Sequence, residues 1–234
     1  MKSKSLLGVA IALFFLAACK KNDPIDPTIE KPDPIESLRD SASYTIDGKT
    51  YKSIGIEKGG TFTTQSNLKI TSGVNFNYEL EGDKDSLLFV REFTIRASYT
   101  NITISFIKIY NKNETENTNE NNGGYLNYPK NKTEIFAPGF YKYSTDFFRK
   151  NSTSGIAFTV INQQGVYKSY GQSDLGKPAS VLQTDQNGSK FEIISLKKRK
   201  SGYLLEVKFN VNIFDENKKQ LRIEDGYLRL SVLK

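Results

Sequence analysis

Histidine and tryptophan are absent from this 234-residue chain, and cysteine occurs once, at Cys19. Without histidine the chain cannot build a Ser-His-Asp or Cys-His catalytic site, or a histidine-ligated zinc site. A single thiol cannot form an internal disulfide, so the fold must depend on its apolar core. Hydrophobic residues make up 37% and charged residues 25% of the chain, a balance typical of a globular protein with one sizeable core.

The N-terminus has the three parts of a secretory signal peptide. The basic stretch 1–5 precedes an unbroken apolar run from Leu6 to Leu16, and small residues and Cys19 follow. This apolar run is too short to span a bilayer, because a transmembrane helix needs about 20 apolar residues. The sequence therefore predicts that residues 1–18 are removed during export.

The segment Leu16-Ala17-Ala18-Cys19 resembles the lipobox of bacterial lipoproteins. That resemblance implies cleavage before Cys19 and the attachment of acyl chains such as palmitate to this cysteine. Two or three acyl chains hold a protein on a membrane durably, at about 0.8 kcal/mol per buried methylene. We therefore expect a membrane-anchored protein; the alternative is an ordinary secreted protein with a chance cysteine at the cleavage point.

Residues 19–40 are expected to form a tether rather than a folded element. Four prolines favour an extended chain here: Pro24, Pro27, Pro32 and Pro34. At about 3.1 Å per residue, such a tether reaches roughly 65 Å from the membrane. Lys20-Lys21-Asn22-Asp23 is similar to the charged export signals of Bacteroidota surface lipoproteins, which implies an outer-membrane location. The sequence leaves open whether the domain faces the cell exterior or the periplasm.

From Ser41 onward, apolar and polar residues alternate between short turn signals, which is the pattern of half-buried strands. Asp47-Gly48 joins the predicted strands 43–46 and 49–52 and favours a type I′ turn. The longest alternation runs from Tyr203 to Ile213. Further strands are predicted at 61–64, 68–71, 74–80, 87–97, 102–110, 156–161, 191–196 and 227–233. About ten to twelve antiparallel strands at this spacing predict an all-β sandwich or barrel-like fold.

The segment 111–124 contains no apolar residue and is predicted to be a mobile Asn-rich loop. It would divide the body of the chain into 41–110 and 125–234, but the first part is short for an independent core without a disulfide. We therefore expect one all-β domain at 41–234; two small domains are the alternative.

The two ends of this expected domain are similar to segments of small Bacteroidota lipoproteins. The opening hairpin at 43–51 resembles their first hairpin, and Asp225–Leu230 resembles their last strand. The members of that group are β-sandwiches of undefined function. The resemblance therefore implies a fold and a lineage but no activity.

Four consecutive cations form a candidate basic patch: Lys197, Lys198, Arg199 and Lys200. They precede Ser201-Gly202 between two predicted strands, so they are expected at the tip of a hairpin. Such a patch would attract anionic headgroups or acidic glycans. The alternative is a solvated turn that discourages edge-to-edge aggregation.

Aromatic residues are concentrated between Tyr125 and Phe148. The candidate aromatic surface in this segment consists of Tyr125, Tyr128, Tyr141 and Tyr143. Tyrosine is favoured at binding surfaces because it combines an apolar ring with a polar tip. Packing of the same residues in the core is the alternative.

Candidate metal and catalytic motifs fail in their context. Residues 81–86 with Glu92 follow the spacing of a calcium loop, but the sixth position is not glycine and both flanks are predicted strands. Ser66 and Lys69 match the Ser-x-x-Lys of penicillin-recognising enzymes, yet they enter a strand rather than a helix. We therefore expect no metal site, no cofactor and no catalytic residue.

The expected function is the binding of a glycan or an envelope protein by a lipid-anchored, non-enzymatic β-sandwich. One alternative is a hydrolase that cleaves polysaccharide with paired carboxylates. Another is a structural envelope protein without a ligand. Nucleic acid is not an expected partner, because an exported protein rarely meets it and the chain has no recognised binding motif.

Overall fold

A computed structural model describes residues 33–72, 78–120, 124–171 and 178–233. The predicted signal peptide, Cys19 and the tether up to residue 32 lie outside these described residues. The chain divides into two units after Pro34, and residues 35–234 form the second unit.

The described residues form one short α-helix, three 3₁₀ helices and 15 strands. The helix α1 is Pro34–Ser37, and the 3₁₀ helices are Lys112–Glu114, Glu134–Phe136 and Gln183–Gln186. The strands are β1 Ser41–Ile46, β2 Lys49–Lys52, β3 Gly55–Gln65, β4 Lys69–Ser72, β5 Tyr78–Glu81, β6 Ser86–Ala97, β7 Thr100–Asn111, β8 Thr115–Glu120, β9 Gly124–Pro129, β10 Gly139–Tyr141, β11 Gly155–Asn162, β12 Gly165–Lys168, β13 Lys190–Arg199, β14 Gly202–Phe214 and β15 Gln220–Val232. None of the helices in the described ranges is long and apolar enough to cross a membrane.

Eleven of these strands form one large antiparallel sheet, so the predicted all-β fold is confirmed. The strand order is β2-β1-β15-β14-β12-β11-β7-β6-β3, and β13 and β10 branch from β14. The pairs β4-β5 and β8-β9 form two separate hairpins. The sheet curls around its main core, which includes buried residues from distant strands such as Tyr44 in β1, Phe93 in β6 and Val207 in β14.

A second, smaller apolar cluster lies apart from the main core. Leu88 and Val90 of β6 belong to it, whereas their neighbours Leu87 and Phe89 belong to the main core. Adjacent residues of a strand point to opposite faces. The smaller cluster therefore lies on the outer face of the sheet, where it includes Phe147.

The first hairpin and the longest predicted strand form as the sequence indicates. Asp47 and Gly48 have φ angles of 49° and 73°, as a type I′ turn requires. In β14 the predicted core face is buried from Leu205 to Ile213. One residue of the predicted solvent face, Asn212, is also buried, because its side chain donates to Asp185 O and accepts from Arg222.

The closing strand β15 contains a bulge that explains its Asp-Gly pair. The pairing with β14 shifts between Phe209 and Val211, and Asp225 adopts a φ of 49°. The next residue, Gly226, lies against the Phe209 ring. A Cβ atom at Gly226 would come within 2.5 Å of that ring, so this position excludes any side chain.

The prediction of an Asn-rich loop at 111–124 differs from the structure. Asn111 caps the 3₁₀ helix Lys112–Glu114, and residues 115–120 form β8, which pairs with β9. Hydrogen bonds of a strand pair join backbone groups and do not require apolar side chains, so composition alone misidentified this segment. Residues 121–123 at the tip lie outside the described residues.

Candidate functional site

A small hollow lies beside Tyr128, where β3, β6 and the end of β9 meet the segment 129–136. Its volume is about 60 Å³. We call it the Tyr128 hollow, and its lining consists of Lys58, Phe89, Arg91, Tyr128, Pro129, Lys132, Ile135, Phe136 and Leu233. Among these nine residues are three cations and no acidic side chain.

Arg91 occupies a position of β6 that the strand pattern assigns to the core. The alternate residues Phe89, Phe93 and Ile95 are all buried in the main core, and Arg91 shares their face because side chains of a strand repeat with period two. The side chain is half-buried, and its Cζ lies 5.5 Å from the centre of the Phe93 ring. A guanidinium in such a position is costly without an anionic partner or water.

Lys58 and Lys132 complete the positive rim of the hollow. Lys58 ends the regular part of β3, because the pairing with β6 shifts between Lys58 and Thr61. Lys132 lies in the turn after β9, and its Nζ lies 5.4 Å from the centre of the Tyr128 ring. Within the described ranges, none of the three cations forms an ion pair with a carboxylate.

Aromatic rings form the wall and floor of the hollow. The rings of Tyr128 and Phe89 meet edge to face, with centres 5.1 Å apart. Phe136 is buried beneath and packs against Phe106 at 5.1 Å. An aromatic wall beside three unpaired cations favours a ligand that combines an anionic group with an apolar face. The arrangement can bind and orient such a group.

The four tyrosines of the predicted aromatic surface do not share one surface. Tyr128 lines the hollow. Tyr141 is half-buried, its hydroxyl donates to Ala137 O at 2.7 Å, and burial raises its pKa to about 12. Tyr143 is buried, so its place in a binding surface is wrong. The side chain of Tyr125 lies outside the described residues.

Tyr143 belongs to the core because its polar tip has partners there. Its hydroxyl lies 2.7 Å from Asn210 O and 3.0 Å from Lys190 O. Its one proton is shared between these two acceptors. Burial raises its pKa. The sequence shows an aromatic residue but not the two carbonyl groups that accept its proton.

Only three of the four residues of the predicted basic patch are exposed. Lys197, Lys198 and Lys200 are exposed at the end of the β13-β14 hairpin, as expected. Arg199 is only 8% exposed. Adjacent strand residues point to opposite faces, so the Arg199 side chain lies on the other side of β13 from Lys198.

Arg199 instead binds residues 35–40, the end of the predicted tether. Its Nε donates to Ile35 O at 2.9 Å, its Nη2 donates to Ile35 O and Leu38 O, and its Nη1 donates to Ser231 Oγ at 2.9 Å. Asp40 accepts from both the backbone and the side chain of Ser231. These contacts fix residues 35–40 to the β-domain.

Two carboxylates among the described residues, Asp83 and Glu206, have a lowered pKa. Each accepts hydrogen bonds within the fold, which is a structural role. Hydrogen bonds from the backbone of Asp85 and the side chain of Ser86 lower the pKa of Asp83. Hydrogen bonds from Tyr227 and Ser195 lower the pKa of Glu206. In the parts of the chain that the structure covers, no three His, Cys, Asp or Glu residues lie together as a metal site would require.

Comparison with known proteins adds no assignment. The chain matches no protein-family model, no curated protein and no solved structure.

The three cations of the Tyr128 hollow were not predicted from the sequence. One signal was present: Arg91 interrupts the apolar face of the predicted strand 87–97. Lys58 and Lys132 carry no comparable signal, because the fold brings them to the hollow from separate segments.

Proposed function

We propose that this protein is a lipid-anchored, non-enzymatic module of the outer membrane, and that it binds an acidic glycan. The observation that carries the binding proposal is the Tyr128 hollow, with three cations, an aromatic wall and no carboxylate in its lining. A uronic or sulfated sugar offers the two matching features: an anionic group for the cations and an apolar ring face for Tyr128.

The anchoring part of the proposal rests on Cys19 and the lipobox-like segment before it. Replacement of Cys19 with Ala should abolish labelling by radioactive palmitate and release the protein from membranes. If the Cys19→Ala protein still fractionates entirely with membranes, lipid anchoring is wrong. Protease treatment of intact cells then decides the membrane face, because only an outward-facing domain is degraded.

The two carboxylates with a lowered pKa, Asp83 and Glu206, do not support polysaccharide hydrolysis. A glycosidase needs a general acid whose pKa is raised by its surroundings. The pKa values of Asp83 and Glu206 are instead lowered by hydrogen bonds. We therefore propose binding without cleavage, and incubation with an acidic polysaccharide should release no new reducing ends.

The binding proposal is tested with the full-length chain and two forms of one polymer, polygalacturonate and its methyl ester. The charged form should bind, the esterified form should bind much more weakly, and added salt should weaken the interaction. Arg91→Gln and Lys132→Gln should each lower affinity about tenfold, since a hydrogen bond to a charged group contributes about 1.5–3 kcal/mol.

Lys198→Gln is the matched control because Lys198 is an exposed cation at the β13-β14 tip. It should leave affinity for polygalacturonate unchanged. Equal losses in Lys198→Gln and Arg91→Gln would mean that general positive charge, rather than the Tyr128 hollow, attracts the polymer. Absence of binding to either polymer would favour a structural envelope role or a protein partner.

A further inference from the structure

Tyr99 combines a disfavoured backbone conformation with an exposed aromatic ring. It follows Ser98 in the two-residue turn between β6 and β7, where Ala97 pairs with Thr100. Its φ is 64° and its side chain is 75% exposed. The left-handed region costs an ordinary L-residue free energy, and this turn position favours Gly or Asn. A large aromatic residue is therefore poorly suited to the turn itself.

Packing explains a second aromatic residue in the same conformation but does not explain Tyr99. Phe148 has a φ of 58°, and its ring lies 4.0 Å from Phe147 and 6.1 Å from Phe62, measured between centres. Those contacts offset its backbone strain. Among the described residues, the Tyr99 ring has no aromatic or cationic partner. Strain without a compensating aromatic or cationic partner among the described residues points to a role outside folding.

Tyr99 lines a cleft of about 250 Å³ at one end of the domain. Three hairpin turns surround the cleft: β1-β2, β6-β7 and β11-β12. The lining is Ile46, Asp47, Lys49, Tyr51, Tyr99, Thr100, Asn162, Gln163 and Gln164. Loops held by a rigid sheet are common positions for ligand-binding residues.

The second aromatic residue of the cleft, Tyr51, is held in place by the fold. Its ring stacks on the buried Tyr44 ring, with centres 5.4 Å apart and planes 14° from parallel. Lys49 Nζ lies 5.2 Å from the centre of the Tyr51 ring, so Tyr51 is a fixed part of the cleft wall and Tyr99 is its exposed ring. Both residues belong to short two-residue turns or their flanking strands, so little backbone ordering is needed when a ligand binds.

Amide side chains supply the polar part of the cleft. Asn162 Oδ1 accepts from the backbone of Gln164 at 2.8 Å and of Gly165 at 3.1 Å. That bonding directs the carbonyl oxygen of Asn162 to the turn and leaves its Nδ2 group as a donor. Gln163 and Gln164 are exposed and add both donors and acceptors. The cleft lining contains one anion, Asp47, and one cation, Lys49, so its formal charge is zero.

We propose that this Tyr99 cleft binds a neutral sugar ring and is a second saccharide site, separate from the Tyr128 hollow. The apolar face of a sugar ring packs on Tyr99, and its hydroxyl groups bond to the amides of the β11-β12 turn. An unbalanced charge would be needed to select an acidic ligand, and the cleft has none.

The experiment compares the full-length chain with Tyr99→Asn. Asn removes the ring but suits the left-handed turn position. The probes are neutral tetrasaccharides of glucose, galactose, mannose, xylose and N-acetylglucosamine, and the readouts are calorimetric affinity and NMR shifts of the tyrosine rings. At least one probe should bind, and Tyr99→Asn should lower its affinity about tenfold or more, as for other aromatic hot spots.

Thermal stability is a second readout. If Tyr99 had a structural role, its replacement would lower the midpoint of thermal unfolding. The midpoint of thermal unfolding of Tyr99→Asn should equal or exceed that of the unchanged chain. The matched control is Phe140→Ala, since Phe140 is 76% exposed and lies outside the cleft. It should leave affinity for the neutral probe unchanged.

Two results would overturn the Tyr99 proposal. One is the absence of binding by all five probes, and the other is full affinity in the Tyr99→Asn protein. Neither result bears on the Tyr128 hollow, because binding of polygalacturonate is tested by Arg91→Gln. Conversely, neutral-sugar binding in a chain that ignores polygalacturonate would support the Tyr99 cleft and contradict the acidic-glycan proposal.

Discussion

Two buried tyrosines differ in what their hydroxyl groups contact. The Tyr143 hydroxyl donates to backbone carbonyls of Lys190 and Asn210, whereas the described residues offer the buried Tyr44 hydroxyl no hydrogen-bond partner. Tyr143→Phe should lower the free energy of unfolding by about 1–2 kcal/mol, because it removes a hydroxyl that is hydrogen-bonded inside the core. Tyr44→Phe should change it by less than about 0.5 kcal/mol or raise it, because the hydroxyl is buried at a cost there.

Urea denaturation of the two single variants measures this difference directly. Both substitutions remove one hydroxyl from a buried ring, so each is the control for the other. Equal losses of stability would mean that removal of a hydroxyl, rather than its bonding, determines the effect.

The same comparison shows why the candidate site was only partly predictable. Tyr128 and Tyr143 are both tyrosines in one aromatic-rich segment, yet the first lines a hollow and the second lies in the core. The difference depends on carbonyl groups about 50 and 70 residues away in sequence, which local composition does not reveal. Tyr99 was missed for a related reason: nothing in the sequence indicates that its turn takes a positive φ.

At the scale of strands, one carboxylate connects three neighbours of the large sheet. Glu206 in β14 accepts from Ser195 in β13 at 2.9 Å and from Tyr227 in β15 at 2.8 Å. These hydrogen bonds lower the pKa of Glu206 below its ordinary value of 4.5. The stabilisation they provide is therefore complete above pH 4.5 and is lost as pH falls through the lowered pKa.

The free energy of unfolding should accordingly decrease below pH 4.5, and Glu206→Gln should show a shallower decrease. The amide keeps one acceptor oxygen but does not titrate, so it removes only the proton-linked part. Asp215→Asn is a control, because it replaces a different carboxylate, in the β14-β15 turn, by an amide. Identical pH profiles for Glu206→Gln and the unchanged chain would contradict the assigned role.

Strands could be predicted where apolar and polar side chains alternate. They could not be predicted where only backbone hydrogen bonds form the strand. Asp47-Gly48 and the alternation of β14 identified their elements correctly, since turn chemistry and burial both act through side chains. Strand β8 has no apolar residue, and it forms by backbone pairing with β9. Such a segment contains no alternation of apolar and polar residues that would predict a strand.

At the scale of the whole molecule, a few contacts close the curled sheet. β14 meets β12 through a single pair, Lys168 with Phe214. On another side, Tyr143 bridges to Ile156, and the Ile156 amide donates to Lys142 O at 2.9 Å. The chain at 142–144 therefore joins the β13 side of the sheet to β11. The all-β class can be predicted from the sequence, but this closure cannot, because pairing between distant segments has no local signal.

The position at which the chain leaves the domain is also fixed, by Arg199. Its guanidinium holds the carbonyls of Ile35 and Leu38, and Arg229 Nε donates to Arg39 O at 2.9 Å. Arg199→Gln should free residues 35–40, because glutamine is shorter and cannot reach all these acceptors with its two amide protons. Trypsin should then cleave after Arg39 several times faster than in the unchanged chain, while the midpoint of thermal unfolding falls by only a few degrees.

Lys198→Gln separates this effect from a general loss of positive charge at the β13-β14 tip. Lys198 is exposed and neighbours Arg199, so its replacement should leave cleavage after Arg39 unchanged. Rapid cleavage in both variants would mean that residues 35–40 are protected by something other than the Arg199 hydrogen bonds. If only Arg199→Gln is cleaved rapidly, the proposed membrane tether ends before Ile35 rather than at Asp40. The reach of the domain from the membrane is then shorter by about 3.1 Å for each residue held.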